Sequence, residues 1–246
     1  MLRKLGVALL LAACLAGVIG FQATRPSRAS GSAQTFVPSP RFYMDFSPSF
    51  RTTIADAYWL LTVQYYGEHV NGDHKLGSLA GMLDLVTSLS PRFQQPYLFG
   101  AFALVDAHQA QKGYELLKKG VATMPTDWHL ATTLGAFIYE YAGNADKARL
   151  AAGWYAKAAA MPGVPSWVRR VAAELTAKGG EGDKAALLWA QVYGSGDRYS
   201  QQKAVQALKA ILPKDKVARE HAVAKLAPMM TPAQLNTLIA ALFKGY

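Results

Sequence analysis

Cysteine is almost missing from this chain: Cys14 is the only one. No disulfide can therefore form within it, and cysteine usage leaves the compartment open. Signature motifs of catalysis are missing too. There is no G-x-S-x-G, no P-loop, no G-x-G-x-x-G after a strand and no H-E-x-x-H, and past Cys14 there is no thiol to serve as a nucleophile. Strand-like alternation of apolar and polar residues is not found beyond residue 52, which argues against a sheet. Acidic residues are scarce at the start. Residues 1–52 hold six basic side chains against the single acid Asp45, so half of the net charge of +10 sits there. The remainder is only mildly basic and carries no clustered cationic stripe, so no nucleic acid is expected as a partner. With 51% apolar residues the chain can still bury a sizeable core.

The N-terminus reads as a membrane segment. Arg3 and Lys4 form a short basic region, and from Leu5 to Ala23 the only polar side chain is Gln22. At 1.5 Å per residue such a run has about the length of a bilayer core. Three fates stay open. Gly20-Phe21-Gln22-Ala23 fits the A-x-A cleavage pattern poorly, which favours a retained signal-anchor over 1–23. A cleaved, secreted form has the same basic and apolar parts. Leu11-Ala12-Ala13-Cys14 resembles a bacterial lipobox, making Cys14 a candidate lipidation site, although the apolar run continues past it. The signal-like layout places the C-terminal body outside the cytoplasm. Residues 24–52, rich in Pro, Ser and Arg, read as an extended tether without helical period. Its aromatics Phe36, Phe42, Tyr43, Phe46 and Phe50 suggest that 42–50 packs on the first helices as an irregular strap.

From Thr53 onward the chain reads as all α. Ile54, Ala57, Tyr58, Leu61 and Tyr65 fall three and four apart, predicting a helix that ends near Gly67 with that stripe inward. A polar loop over 68–73 leads to a helix over 75–88. Pro91, Pro125 and Pro162 then recur at intervals of 34 and 37 residues, each closing a helix–turn–helix unit. One unit carries Tyr97, Ala101 and Leu104, a turn at Gln111-Lys112-Gly113, then Tyr114, Leu116, Leu117 and Val121. The next carries Leu134-Gly135, Ile138 and Tyr139, a turn over 143–146, then Ala148, Ala151, Trp154, Tyr155 and Ala158. Beyond Pro162, helices are predicted over 166–178 with Ser166 as cap, 183–192, 201–212, 215–226 and 231–243, the last opened by Thr231-Pro232.

The units resemble the tetratricopeptide repeat, whose W-x2-L-G-x2-Y, A-x3-F and closing Pro reflect helices packed closely at small residues. Tyr97, Ala101, Gly113 and Gly120 stand at the matching positions of one unit, and Leu134-Gly135, Ala148, Ala158 and Pro162 at those of the next. Trp128 departs from the pattern: it precedes the aromatic slot, which Ala131 fills. The resemblance implies an all-α helical-hairpin solenoid, with repeats over 53–162 and further helical repeats and a cap over 163–246. It also implies a partner-binding concave face made by first helices, comprising Gln95, Leu98, Phe102, Val105, His129, Thr132, Ala136 and Tyr139. Leu98, Phe102, Thr132 and Ala136 stand where a carboxylate clamp would need Lys and Asn, so an apolar helix or peptide fits better.

Glu68-His69 with Asp73-His74, and Asp127 beside His129, could suggest a metal or general base. The first set reads as a solvated loop, and Asp127 as a helix cap. No cofactor, metal or small-molecule substrate is expected. The function expected is a membrane-tethered scaffold for protein–protein interaction in a cell-envelope complex, not an enzyme. The alternatives are an accessory subunit of a stable membrane complex and, further off, an enzyme of unrecognised type.

Overall fold

The computed structural model describes residues 15–16, 37–46, 48–195 and 197–243. The expected anchor run (all but Leu15 and Ala16), Cys14 and tether residues 24–36 lie outside them. By contact the chain divides into two units, Met1–Phe36 and Val37–Tyr246, and the second holds the helical body. The described residues contain no strand. In the second unit twelve helices follow one another: α1 Pro40–Phe46, α2 Arg51–Val70, α3 Leu79–Leu89, α4 Gln95–Asp106, α5 Ala110–Thr123, α6 Trp128–Tyr141, α7 Lys147–Ala159, α8 Ser166–Lys178, α9 Gly182–Ser195, α10 Arg198–Ile211, α11 Lys216–Ala224 and α12 Pro232–Leu242. None of the described helices is long and apolar enough to cross a membrane.

Local chemistry explains the boundaries. The Asp127 carboxylate accepts from the backbone amides of His129 and Leu130, Asp197 from Ser200, and Asp215 from Ala218, so each starts its helix as N-cap. Thr231 and Gln234 exchange side-chain and backbone bonds as a capping box, with Pro232 in the first turn of α12. Ser166 is the first helical residue of α8, preceded by Pro165 as cap. Its hydroxyl is not a cap; it donates to Asp197 Oδ2 at 3.1 Å.

Consecutive helices from α2 to α10 pack against one another. In α4 and α5, a Cβ added at Gly113 would lie 2.5 Å from the Ala101 carbonyl oxygen, and one at Gly120 would lie 2.9 Å from the Tyr97 ring. The contact therefore runs up one helix as it runs down the other. Gly135 of α6 meets Tyr155 of α7 in the same way, at 2.8 Å. Helices two apart also touch, α2 with α4, α4 with α6 and α8 with α10.

The core is a succession of local clusters. Ala55, Leu85, Val86 and Leu89 form one, and Leu83, Tyr97, Leu117, Leu130 and Leu134 belong to the next. Ala131, Ala151, Tyr155, Val168 and Ala172 lie in a third, and Ala173, Trp189, Leu208 and Leu238 in a fourth. Each draws only on helices near in sequence. Tyr97 is the largest fully buried side chain, and its hydroxyl donates to the Pro91 carbonyl at 2.9 Å.

Four readings are corrected. The turn at 111–113 is instead inside α5; the chain reverses at His108, which takes φ 56°, and Gly113 serves close packing. α2 runs to Val70, and α3 begins only at Leu79. The stripe of α2 is rotated: Ala55 and Thr62 are buried, whereas Ala57 and Leu61 are exposed. The long aromatics Tyr58, Trp59, Tyr65 and Tyr66 reach the neighbouring helices and turn the helix that way, Trp59 against Phe93 and Phe99. Part of the tether is helical, since α1 packs through Tyr43 on Tyr58, their hydroxyls 3.0 Å apart.

These contacts set two tests. Ala in place of Gly113 gains about 1 kcal/mol of helix propensity but meets a rigid carbonyl, and overpacking costs about 1–3 kcal/mol. Gly113→Ala is thus expected to lower the melting temperature read by circular dichroism, and Gly153→Ala, with open space around it in α7, to raise it. Asp197 is held below the ordinary carboxylate range, chiefly by the Ser200 amide. A depressed carboxylate contributes stability that is present above its unfolded pKa of about 3.9 and lost as pH falls through its folded value. Asp197→Asn is expected to flatten the acid limb of a melting-temperature series below about pH 4, while leaving the neutral-pH dependence unchanged.

Candidate partner-binding surface

An aromatic cluster joins α4 to α6. Phe102, 38% exposed, lies 5.8 Å from the Phe137 ring and 6.3 Å from Tyr141, and Phe137 and Tyr141 are 4.8 Å apart. Phe137 and Tyr141 are four residues apart on one face of α6, so both side chains point the same way. Beside them opens a notch of about 350 Å³ between α5, α6 and α7, lined by Tyr114, Phe137, Ile138, Tyr141, Leu150 and Trp154 among others. Its remaining lining residues are Ala110, Gln111, Ala142 and Asn144, so no carboxylate, imidazole, ammonium or guanidinium group lines it. Tyr141 and Leu150 stand exposed at its edge. Lys118 lies over the Tyr114 ring at 5.3 Å and Lys157 over Trp154 at 4.2 Å, leaving cationic heads around an apolar floor.

The residues expected on a concave face are divided by the structure. Gln95, Phe102 and His129 are exposed, while Leu98, Val105, Ala136 and Tyr139 are half-buried. Thr132 is only 5% exposed, and its hydroxyl donates to the carbonyls of Trp128 and His129 at 2.9 and 3.0 Å. It does not reach the surface. Leu98 and Val105 pack onto the cluster that holds Tyr97 and Leu104. Tyr139 lies under Lys147 and Lys178, at 5.2 and 5.6 Å. At about 100° per residue it sits some 200° around α6 from Phe137. Phe102 and Tyr139 therefore belong to opposite sides of α6.

Sequence reasoning missed Tyr114, Phe137, Tyr141, Leu150 and Trp154 as one group. The i, i+4 pair Phe137–Tyr141 was the available signal. Tyr114 and Trp154 gave none, because they read equally well as interior positions of second helices.

The acid–imidazole pairs are structural. Asp127 Oδ1 accepts from the amides of His129 and Leu130, and its Oδ2 accepts from Gln94 Nε2 at 2.6 Å. His129 stacks on Trp128 with ring centroids 3.6 Å apart. His69 Nδ1 is 2.9 Å from the Tyr65 carbonyl, and Asp73 accepts from the Lys75 amide. Among the described residues no group of three His, Cys, Asp or Glu could hold a metal ion. The resolved pKa shifts move groups away from neutrality. Burial, with the Tyr43 hydroxyl second, pushes Tyr58 up to about 12, and the bond to Asp106 does the same for Tyr66. The Lys75 amide holds Asp73 down, and Glu174 raises Lys178.

A second opening, of about 580 Å³, lies between α11 and α12, with Val223, Leu235, Ile239 and Phe243 on its floor and Lys216 and Glu220 at its rim. Beside it Arg219 is buried, donating from Nε to the Pro213 carbonyl at 2.7 Å and from a terminal nitrogen to the Leu242 carbonyl at 3.2 Å. It closes the last turn of α12 from a neighbouring helix. Arg219→Met keeps the apolar stem but leaves these carbonyls without that donor, at a cost of about 1–3 kcal/mol. Faster amide hydrogen exchange confined to α11 and α12 is the expected result.

Compared with protein-family models and with curated proteins, the chain matches none.

Proposed function

We propose that this protein is a membrane-tethered scaffold of tetratricopeptide-like helical hairpins that binds an apolar helix or peptide of a protein partner in a cell-envelope complex. The observation that carries this reading is the cluster of Phe102, Phe137 and Tyr141 beside the notch between α5, α6 and α7. Exposed aromatics around a pocket, here Phe102 and Tyr141 over the buried Phe137, are the side chains that anchor protein interfaces, because they bury large area at small entropic cost. The uncharged lining selects an apolar ligand.

The solenoid reading is supported by close packing at Gly113, Gly120 and Gly135 and by contacts between helices two apart. In such an array each hairpin touches only its neighbours and leaves a long face free. The apolar run over 5–23 motivates the tether, which would confine the body near its partner and raise the effective concentration.

Crosslinking in native membranes, followed by mass spectrometry, tests the reading with full-length protein and a Phe102→Ala, Tyr141→Ala variant. Loss of one or a few crosslinked proteins in the variant, with anchoring and helicity retained, is the expected outcome. An unchanged set of crosslinks would remove the notch from the binding surface.

A further inference from the structure

The start of the folded body presents apolar side chains that its own packing does not use. Phe42 and Phe46, four residues apart on α1, are 52% and 75% exposed with ring centroids 5.2 Å apart. Phe50, in the short 3-10 turn Pro48–Phe50, is 64% exposed. The other side of α1 is committed to the core, where Tyr43 and Met44 pack among Ile54, Tyr58, Leu85 and Val86. α2 continues the pattern. Opposite its buried Ala55 and Thr62 lie Ala57, Leu60 and Leu61, all exposed, with Leu60 at 64%.

We infer that this end of the body, Phe42, Phe46 and Phe50 with Leu60 and Leu61, seats in the headgroup–acyl boundary of an anionic bilayer. Three observations favour lipid over a protein groove. Arg41 and Arg51 are exposed among the phenylalanines, and residues 24–52 carry four arginines against one acid, the polarity that anionic headgroups attract. The phenylalanines are spread over a short helix and a turn, which suits a fluid apolar layer better than a groove that reads an i, i+3, i+7 ridge. Finally, only sixteen residues, 24–39, separate the bilayer-length run from α1, a reach of at most about 55 Å. The surface nearest the membrane in sequence is therefore also the one with exposed aromatics. This inference rests on the tethered reading.

The test uses the full chain with Cys14→Ser as background, carrying one environment-sensitive fluorophore at Phe46→Cys, Leu60→Cys or, as control, Lys184→Cys at an exposed position of α9. Each protein is reconstituted in phosphatidylcholine vesicles with and without phosphatidylglycerol. Blue-shifted emission at 46 and 60, quenched by headgroup-proximal doxyl lipids and stronger with the anionic lipid, is expected, with the control reading water. Water-like emission at 46 and 60 in chains that float with the vesicles and resist alkaline carbonate would overturn the inference alone, and would assign the face to a protein partner. Failure to float would overturn the tether and the inference together.

Discussion

Close approach of helix backbones at glycine is the constraint on which the rest of this structure depends. At Gly113 the facing atom is the carbonyl oxygen of Ala101, and at Gly120 and Gly135 it is the ring of a buried tyrosine, Tyr97 or Tyr155. A side chain at any of the three would push its hairpin open. Because Tyr97 is held over Gly120, its hydroxyl reaches the Pro91 carbonyl where the chain leaves α3. One small residue thus fixes both the pairing within a hairpin and the turn that precedes it. The cost of glycine inside a helix, about 1 kcal/mol each, is offset by the dispersion attraction between helices that come this close.

A second set of contacts relates one hairpin to the next. Asp127 and Asp197 each cap a helix with one oxygen and accept with the other from a side chain at the start of an earlier helix, Gln94 and Ser166 respectively. The same device recurs with different donors. A carboxylate that answers both helix and neighbour keeps successive helices in register along their N-terminal ends, where apolar packing alone would allow sliding. Arg219 makes a tie of another kind between α11 and α12, its guanidinium donating to the Leu242 carbonyl in the last turn of α12.

Helical periodicity and proline spacing made the all-α body legible, and capping residues such as Asp127 and Thr231 could be read directly. Rotation of a helix about its own axis could not. For α2 the apolar pattern is nearly continuous, so Leu61 read as interior, whereas the structure exposes it and buries Thr62. The large aromatics Tyr58, Trp59, Tyr65 and Tyr66 decide that rotation through partners on other helices. The turn between α4 and α5 was misplaced for a related reason. Glycine marks both turns and tight crossings, and the residue that reverses the chain here is His108 with positive φ. In the candidate site, Phe102 was legible as an exposed aromatic, but its companions were not. The choice of Tyr139 over Phe137 and Tyr141 depended on which side of α6 faces α4, and that is set by packing between helices two apart.

The same physics explains why exposed apolar residues gather where they do. Most helices of the body pack against both the helix before and the helix after, so an apolar side chain left outside those contacts stands on a free face or at an end. Phe102, Tyr141 and Leu150 occupy the first kind of place, and Phe42, Phe46, Phe50, Leu60 and Leu61 the second. Their surroundings differ. Beside the notch, Lys118 and Lys157 lie over the Tyr114 and Trp154 rings, setting cations next to an apolar lining as an interface with a polar rim does. Around the first helices the flanking cations are arginines, Arg41 and Arg51, among exposed phenylalanines. A pocket with a polar rim rewards one shaped partner, whereas scattered phenylalanines beside cations reward a fluid anionic layer. The two surfaces are thus suited to different neighbours, and a single partner covering both would leave one of these chemistries unexplained.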